Sequence, residues 1–170
     1  LFNMQSPSHP PQIFTYDPAT DKTANSGMVP PSKIDASSLE SKEVLVTSYD
    51  GTQVPLTIVY KKGIVLDGSH PTILDGYGAY GIVSESFFRA ASLAWVERGG
   101  VLATAHIRGG GEYGEDWHLG GMMKTKLNTV FDFIACGQYL IDQKYTSPKR
   151  LAAEGGSAGG LLIGAVVNMR

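Results

Sequence analysis

The spacing of apolar residues predicts a short strand, then a hairpin, then strands and helices in alternation. Residues 12–16 read as a strand closed by Asp17-Pro18, and a polar connector fills 20–42. Residues 44–48, the pair Asp50-Gly51 and residues 54–60 read as a β-hairpin, with Asp-Gly supplying the positive φ of a tight turn. After a polar loop over 61–70, residues 72–74 form a short apolar strand that runs into a glycine loop at 76–81. Residues 84–98 predict a helix with Phe87, Phe88, Ala91, Ala94 and Trp95 on one face, stopped by Gly99-Gly100. Residues 101–107 are almost wholly apolar, the pattern of a strand buried on both faces. A second helix spans 127–143, with Leu127, Val130, Phe131, Ile134 and Ile141 inward. A short strand at 151–154, a glycine turn at 155–160 and a helix at 161–169 follow. Strands alternating with helices imply parallel pairing, right-handed crossovers and helices on both faces of an α/β sheet. The leading hairpin makes that sheet mixed.

Composition narrows the partners. The 170 residues carry 14 Lys and Arg against 16 Asp and Glu, a net charge of −2, which leaves no polybasic surface for nucleic acid or membrane. No apolar run approaches the roughly 20 residues of a membrane helix. The single cysteine, Cys136, excludes an intrachain disulfide framework, fits a reducing cytoplasmic compartment and reads as a small buried residue of the second helix. Six of the 9 prolines lie within the first 31 residues and fourteen of the 21 glycines follow Arg98, so a turn-rich front precedes glycine-punctuated apolar elements. The chain opens on Leu1 with no signal-like stretch, and reads as a piece of something longer.

Gly155-Gly156-Ser157-Ala158-Gly159 satisfies G-x-S-x-G between an apolar strand and an apolar helix, the context of a nucleophile elbow. Small neighbours let the backbone turn sharply and aim the Ser157 hydroxyl into the cleft at the strand ends. The helix begins there, so the Ala158 N–H is the expected first oxyanion donor. The alternative is a glycine-rich turn that holds a phosphate or merely packs.

A second motif, Gly109-Gly-Gly-Glu-Tyr-Gly114, matches G-x-G-x-x-G, and Asp132 lies 21 residues beyond Gly111. A dinucleotide site fits poorly, because 115–121 does not read as a helix opening and Glu112, Glu115 and Asp116 would repel a pyrophosphate. The stretch reads instead as a rigid loop at the cleft rim, with Arg108 pairing a carboxylate and the three acids forming a solvated rim. Met122 and Met123 are expected to pack in the following loop. No His, Cys or carboxylate cluster has metal-ligand spacing, and no cofactor is implied.

These residues carry a resemblance. The stretches 61–64, 66–71, Gly76-Tyr-Gly78, His106-Ile-Arg-Gly-Gly-Gly-Glu-Tyr-Gly114, 145–151 and 155–162 resemble the catalytic domain of the prolyl oligopeptidase family of serine peptidases, over about 43–170. The front segment, 1–42, resembles the end of a propeller and its linker. The resemblance implies the N-terminal part of an α/β-hydrolase fold, truncated after the elbow, and cleavage of short peptides rather than folded proteins. Ser157 matches the nucleophile and Tyr77 matches a tyrosine whose hydroxyl is the second oxyanion donor. Tyr80 stands where the prolyl branch has a Phe lining the proline pocket, and Ala158 where that branch usually has Asn. Both look more like the oligopeptidase B branch, which cuts after Arg or Lys, whereas the 61–71 loop looks more like the prolyl branch. Asp75 replaces a residue usually aromatic in either.

In α/β-hydrolases the triad follows the order Ser, acid, His. All four histidines (His9, His70, His106, His118) precede Ser157, and none of the thirteen residues after it is Asp, Glu or His. His106 and His118 read as structural. The remainder of the chain is therefore an expected partner, and the segment alone is expected to be inactive and poorly soluble. Another α/β-hydrolase activity, such as an esterase, and a non-catalytic truncated relative are the alternatives.

Overall fold

A computed structural model describes residues 1–32 and 35–170; residues 33 and 34, inside the predicted connector, lie outside the described residues. The first sheet is antiparallel, in the order β1 (Phe2–Ser6), β2 (His9–Asp17), β3 (Lys22–Asn25). Only part of β2 was expected. The residues of β3 are all exposed and show no apolar alternation, so its pairing rests on backbone hydrogen bonds that side-chain pattern does not report.

The second sheet has five strands: β4 (Leu39–Thr47), β5 (Gln53–Lys61), β6 (Thr72–Gly76), β7 (Val101–Ala105) and β8 (Leu151–Glu154), in the spatial order β4-β5-β7-β6-β8. The hairpin β4–β5 is antiparallel with Thr47 opposite Gln53, and β5 pairs antiparallel with β7. Strands β7, β6 and β8 run parallel, so the sheet is mixed as expected. Residues 54–60 of β5 are buried throughout, because the strand is internal and covered on both faces. In the turn between β4 and β5 only Gly51 takes a positive φ (86°), so the connection is longer than a two-residue turn.

Helices cover both faces. On one side α1 (Ala90–Glu97) packs Leu93 and Val96 against Leu39 and Val59. The sequence predicts a helix from 84, and of its expected inner face Phe88 and Trp95 do pack against this cluster. The structure starts it six residues later, and Ala91, Ala94 and Phe87 are exposed. The Ser84 N–H donates to Glu112 Oε1 at 2.9 Å, and Arg89 is still extended at φ −129°, so a long-range contact holds 84–89 out of the helix. On the other side lie α3 (Leu127–Asp142) and α4 (Ala158–Met169), around a core of Leu56, Ile58, Leu74, Phe133, Leu140 and Leu162. Cys136 is buried there, and burial pushes its thiol up out of the reactive range. Between β7 and α3 in the chain come a short helix α2 (Glu115–Leu119) and a 3₁₀ turn at Met123–Thr125. Residues 115–119 are thus helical where a loop was expected, and Met123 is exposed rather than packed. No helix among the described residues is long and apolar enough to cross a membrane.

The buried face of α3 overlaps the predicted one at Val130, with Ile134 packed against the core, but it is shifted: Thr129, Asp132, Phe133, Cys136 and Leu140 are inward, while Leu127 is exposed. A charge sets the rotation. Asp132 is fully buried, and it accepts Arg108 Nη2 at 2.7 Å, Nε at 2.8 Å and the Arg108 N–H at 3.1 Å. Ser48 Oγ donates to the same carboxylate at 2.6 Å. The far side of the guanidinium grips Asp50 at 2.6 and 3.2 Å. The hydrogen bonds from Arg108 hold the Asp50 carboxyl down at about 2, and its two carboxylates raise Arg108 further above its ordinary value. The expected pairing of Arg108 with a carboxylate is therefore a double one.

Removing one partner of such a pair leaves a buried charge uncompensated, which costs about 3–5 kcal/mol. Asp132→Asn in the full-length protein should lower unfolding free energy in urea by that order, whereas Asp50→Asn, on the partly exposed side, should cost much less. Equal costs would show that burial does not set the strength of the anchor.

Candidate active site

Strand β8 ends at Glu154, and three residues later Ser157 has φ 55° and ψ −117° at the N-cap of α4. Positive φ with this ψ lies outside the left-handed helical region and costs a non-glycine residue about 1–3 kcal/mol. Packing on both sides imposes it. A Cβ on Gly155 would come within 2.6 Å of Gly159 O, so only glycine fits. The first turn closes through Gly159 N–H to Gly156 O at 2.8 Å and Gly160 N–H to Ser157 O at 2.9 Å. The Ser157 side chain makes no cap hydrogen bond and the residue is exposed. Ala158, half-buried, opens the helix, where N–H groups have no acceptor within it.

The loop after β6 meets this turn directly. A Cβ on Gly159 would lie 2.6 Å from Gly76 O and 3.7 Å from Tyr77 Cα, so the elbow helix rests on the backbone that leads into Tyr77. Gly76 is itself pressed against Phe133 and Leu162. Lys126 Nζ donates to Gly78 O at 2.6 Å from the start of α3, and burial lowers its pKa. The Gly81 N–H donates to Gly109 O at 3.0 Å, joining the first glycine loop to the second. Tyr77 is half-buried. Tyr80, at φ 59°, is 75% exposed, with its ring 6.5 Å from that of Tyr77. Ser157, Ala158 and Tyr77 are thus gathered at the carboxyl ends of β6 and β8, and Tyr80 stands on the rim.

A model of the prolyl oligopeptidase family matches residues 86–170, half of the chain. The chain belongs to the prolyl oligopeptidase family. It is 44% identical over 161 residues to a prolyl endopeptidase of Elizabethkingia meningoseptica, covering 95% of this chain and 23% of that one. It is 48% identical over 135 residues to Protease 2 of Moraxella lacunata, covering 79% and 20%. A solved oligopeptidase B from Trypanosoma brucei with covalently bound antipain superposes with a TM-score of 0.85 at 40% identity, over 98% of this chain and 24% of that one. The chain spans between a fifth and a quarter of the length of these relatives. Its sheet is accordingly part of an α/β-hydrolase-type domain of this family.

Against this family frame, several residues around the site fall elsewhere than pattern suggested. Glu112 is not on a solvated rim. Its side chain is 10% exposed and lies 3.8 Å from His106 Nδ1. Burial favours its neutral form, but His106 and the Ser84 N–H outweigh burial and hold the carboxyl below its ordinary value. His106 Nε2 lies 2.8 Å from Thr57 Oγ1, so both ring nitrogens face these partners. His118 pairs with Glu115 at 3.5 Å within α2 rather than in a loop. Asp132, whose spacing from Gly111 mimics a dinucleotide fingerprint, is the Arg108 partner. Sequence reasoning missed Lys126 and Thr129. Thr129 Oγ1 bridges Arg108 O at 2.8 Å and Gly121 O at 3.1 Å, and no local signal distinguishes these residues from other first-turn polar residues.

The Gly76–Gly159 contact leaves no room for a methyl group. Gly159→Ala in the full-length protein should lower Tm by several degrees and open the elbow. Gly164→Ala, on the same helix with nothing within 4 Å, should leave Tm unchanged or raised. Differential scanning calorimetry of the two variants reads the difference, and equal melting temperatures would show that the contact is slack.

Proposed function

We propose that this segment is the nucleophile-bearing part of a serine peptidase that cleaves oligopeptides through an acyl-enzyme. The observation that carries the reading is the backbone of Ser157, held at φ 55° and ψ −117°, exposed between a parallel strand and a helix N-terminus. The covalently bound antipain of the Trypanosoma brucei oligopeptidase B supports covalent chemistry at such a site.

In this mechanism Ser157 Oγ attacks the scissile carbonyl and gives its proton to a His, oriented by an Asp, both supplied by the rest of the protein. The Ala158 N–H and the Tyr77 hydroxyl hold the oxyanion, each such donor being worth about 3–4 kcal/mol in comparable sites. The His then protonates the leaving amine, and water releases the acyl group. Tyr80 lies at the rim where the substrate residue before the scissile bond enters, and that residue is Pro or Arg/Lys. Partners are short peptides and the remainder of the protein's own chain. Leu161 and Val167, exposed on the outer face of α4, support packing of that remainder beside the elbow. The buried free thiol of Cys136 supports a cytoplasmic location.

Two measurements test the reading. In the full-length protein, Tyr77→Phe should lower kcat by about 100-fold on fluorogenic Pro and Arg peptides with KM nearly unchanged, because the bond forms mainly in the transition state. An unchanged kcat would remove Tyr77 from the oxyanion hole. The 170-residue segment alone should turn over neither peptide faster than its Ser157→Ala variant, and any excess would place the base within the segment.

A further inference from the structure

Asp75 and Glu154 are register partners on the parallel strands β6 and β8. Register partners share a face with Cβ atoms about 5 Å apart, so two carboxylates stand side by side. Asp75's other register neighbour, Thr104 on β7, carries no charge. The pair opens into a cavity of about 350 Å³ under the segment that leads into α1, and Tyr77 lines the same cavity. The other charged side chains around it are Glu85 and Arg89, so a single cation faces three carboxylates. Both residues are exposed at this edge of the sheet; partial desolvation and the charge of Glu154 push the Asp75 carboxyl up, against the pull of Arg89.

Both strands end at the chemistry. One residue after Asp75 comes Gly76, then Tyr77; three residues after Glu154 comes Ser157. Between them the Gly159 backbone lies so close to Gly76 O that a Cβ there would be 2.6 Å away, and through this approach a change in the separation of the strand ends reaches the elbow.

The geometry points to Asp75 and Glu154 as a positioning pair, whose mutual repulsion sets the separation of β6 and β8 and so the placement of the Tyr77 hydroxyl relative to Ser157. The pair touches no substrate, and its role rests on the peptidase reading above. A misplacement on the order of 1 Å at a reacting centre costs about 100-fold in rate, so a fraction of that shift is measurable. The sign follows from the charges. Repulsion is complete when both carboxylates are ionised, and it fades as the pH falls and Asp75 takes up its proton, which it does above its ordinary value of 3.8.

The test uses the full-length protein and two readouts. Asp75→Asn should lower kcat about 5–20-fold at alkaline pH with KM within about twofold, the ratio to the parent shrinking toward unity on the acid side, by analogy with other positioning losses. Asp75→Glu, which keeps the charge, should restore most of the rate. In parallel, ¹³C-carboxyl NMR should show Glu154→Gln lowering the midpoint at which Asp75 titrates. A purely structural role would shift Tm and leave the pH dependence of kcat as in the parent, and that result overturns the proposal. So does an Asp75 titration indifferent to Glu154→Gln. A parent rate no higher than that of Ser157→Ala overturns the peptidase reading and the positioning role with it. The NMR titration needs no turnover, and separates that failure from a pair that does not interact.

Discussion

Arg108 carries its guanidinium into nearly dry space, where α3 and the hairpin turn converge on it. Asp132 reaches it from α3 and Asp50 from the hairpin turn, Ser48 of the same turn donates to Asp132, and Thr129 Oγ1 donates to the Arg108 carbonyl. A buried ion pair of this kind adds little net stability compared with apolar packing, because desolvation offsets most of the attraction. What it supplies is a unique answer. The Arg108 N–H, Nε and Nη2 all bond to one carboxylate, so α3 can take only one rotation about its axis and one height along the sheet. A purely apolar α3 would tolerate a register error that this arrangement does not.

Everything at the site is placed from that anchor. Arg108 begins the second glycine loop, and the bonds of Thr129 fix the same loop to Gly121. That loop touches the first one through Gly109 and Gly81, and the first loop carries Tyr77 between Gly76 and Gly78. Lys126, three residues before Thr129, pins Gly78 O. The chain of contacts then closes on the elbow where Gly159 lies on Gly76. Backbone meets backbone where Gly109 faces Gly78 O and where Gly159 faces Gly76 O, and a side chain larger than hydrogen cannot be accommodated at either. Glycine at these positions costs conformational entropy on folding, and the return is a loop assembly with few soft degrees of freedom.

The elements legible in sequence are those whose information is local. Residues 54–60 read as a hairpin arm from the Asp50-Gly51 turn, 101–107 as a buried strand because nearly every position is apolar, and the elbow reads from its small residues between strand and helix. Arg108 read as an ion-pair partner because a lone arginine at the end of a buried strand has few other choices. The partner did not read, since Asp132 lies 24 residues away and its spacing imitates a nucleotide-binding acid. The same limit accounts for 84–89. Phe87 and Phe88 suit a helical face, but Glu112, 28 residues on in the loop after β7, accepts the Ser84 N–H and keeps the segment out of the helix. Glu112 itself looks like one of three rim acids in sequence, and only the fold shows His106 beside it. The face of α3 is legible only in part for a related reason: Val130 and Ile134 turn to the core as their spacing suggests, but Leu127 also suits the apolar stripe and is exposed, because the buried charge of Asp132 turns the helix.

The strain at Ser157 fits into the same account. A non-glycine residue at positive φ is a local loss that the rest of the molecule must overcome, and a site can keep it only where neighbours leave no relaxed alternative. Here Gly155 is closed off by Gly159 O on one side, and Gly159 by Gly76 O on the other. Relaxing Ser157 would require moving α4 off the sheet, and Leu162, one turn along, is 1% exposed in the core beside Phe133. The burial of one leucine therefore does more than stabilise a helix. It locks the turn whose hydroxyl faces solvent. The rigid side of the site is the side made by β6, α3 and the glycine loops, and the exposed outer face of α4 bears no part of that constraint. Pre-organisation of the oxyanion donors comes from the packed side alone, so their geometry is set by the anchor at Arg108 before any substrate arrives.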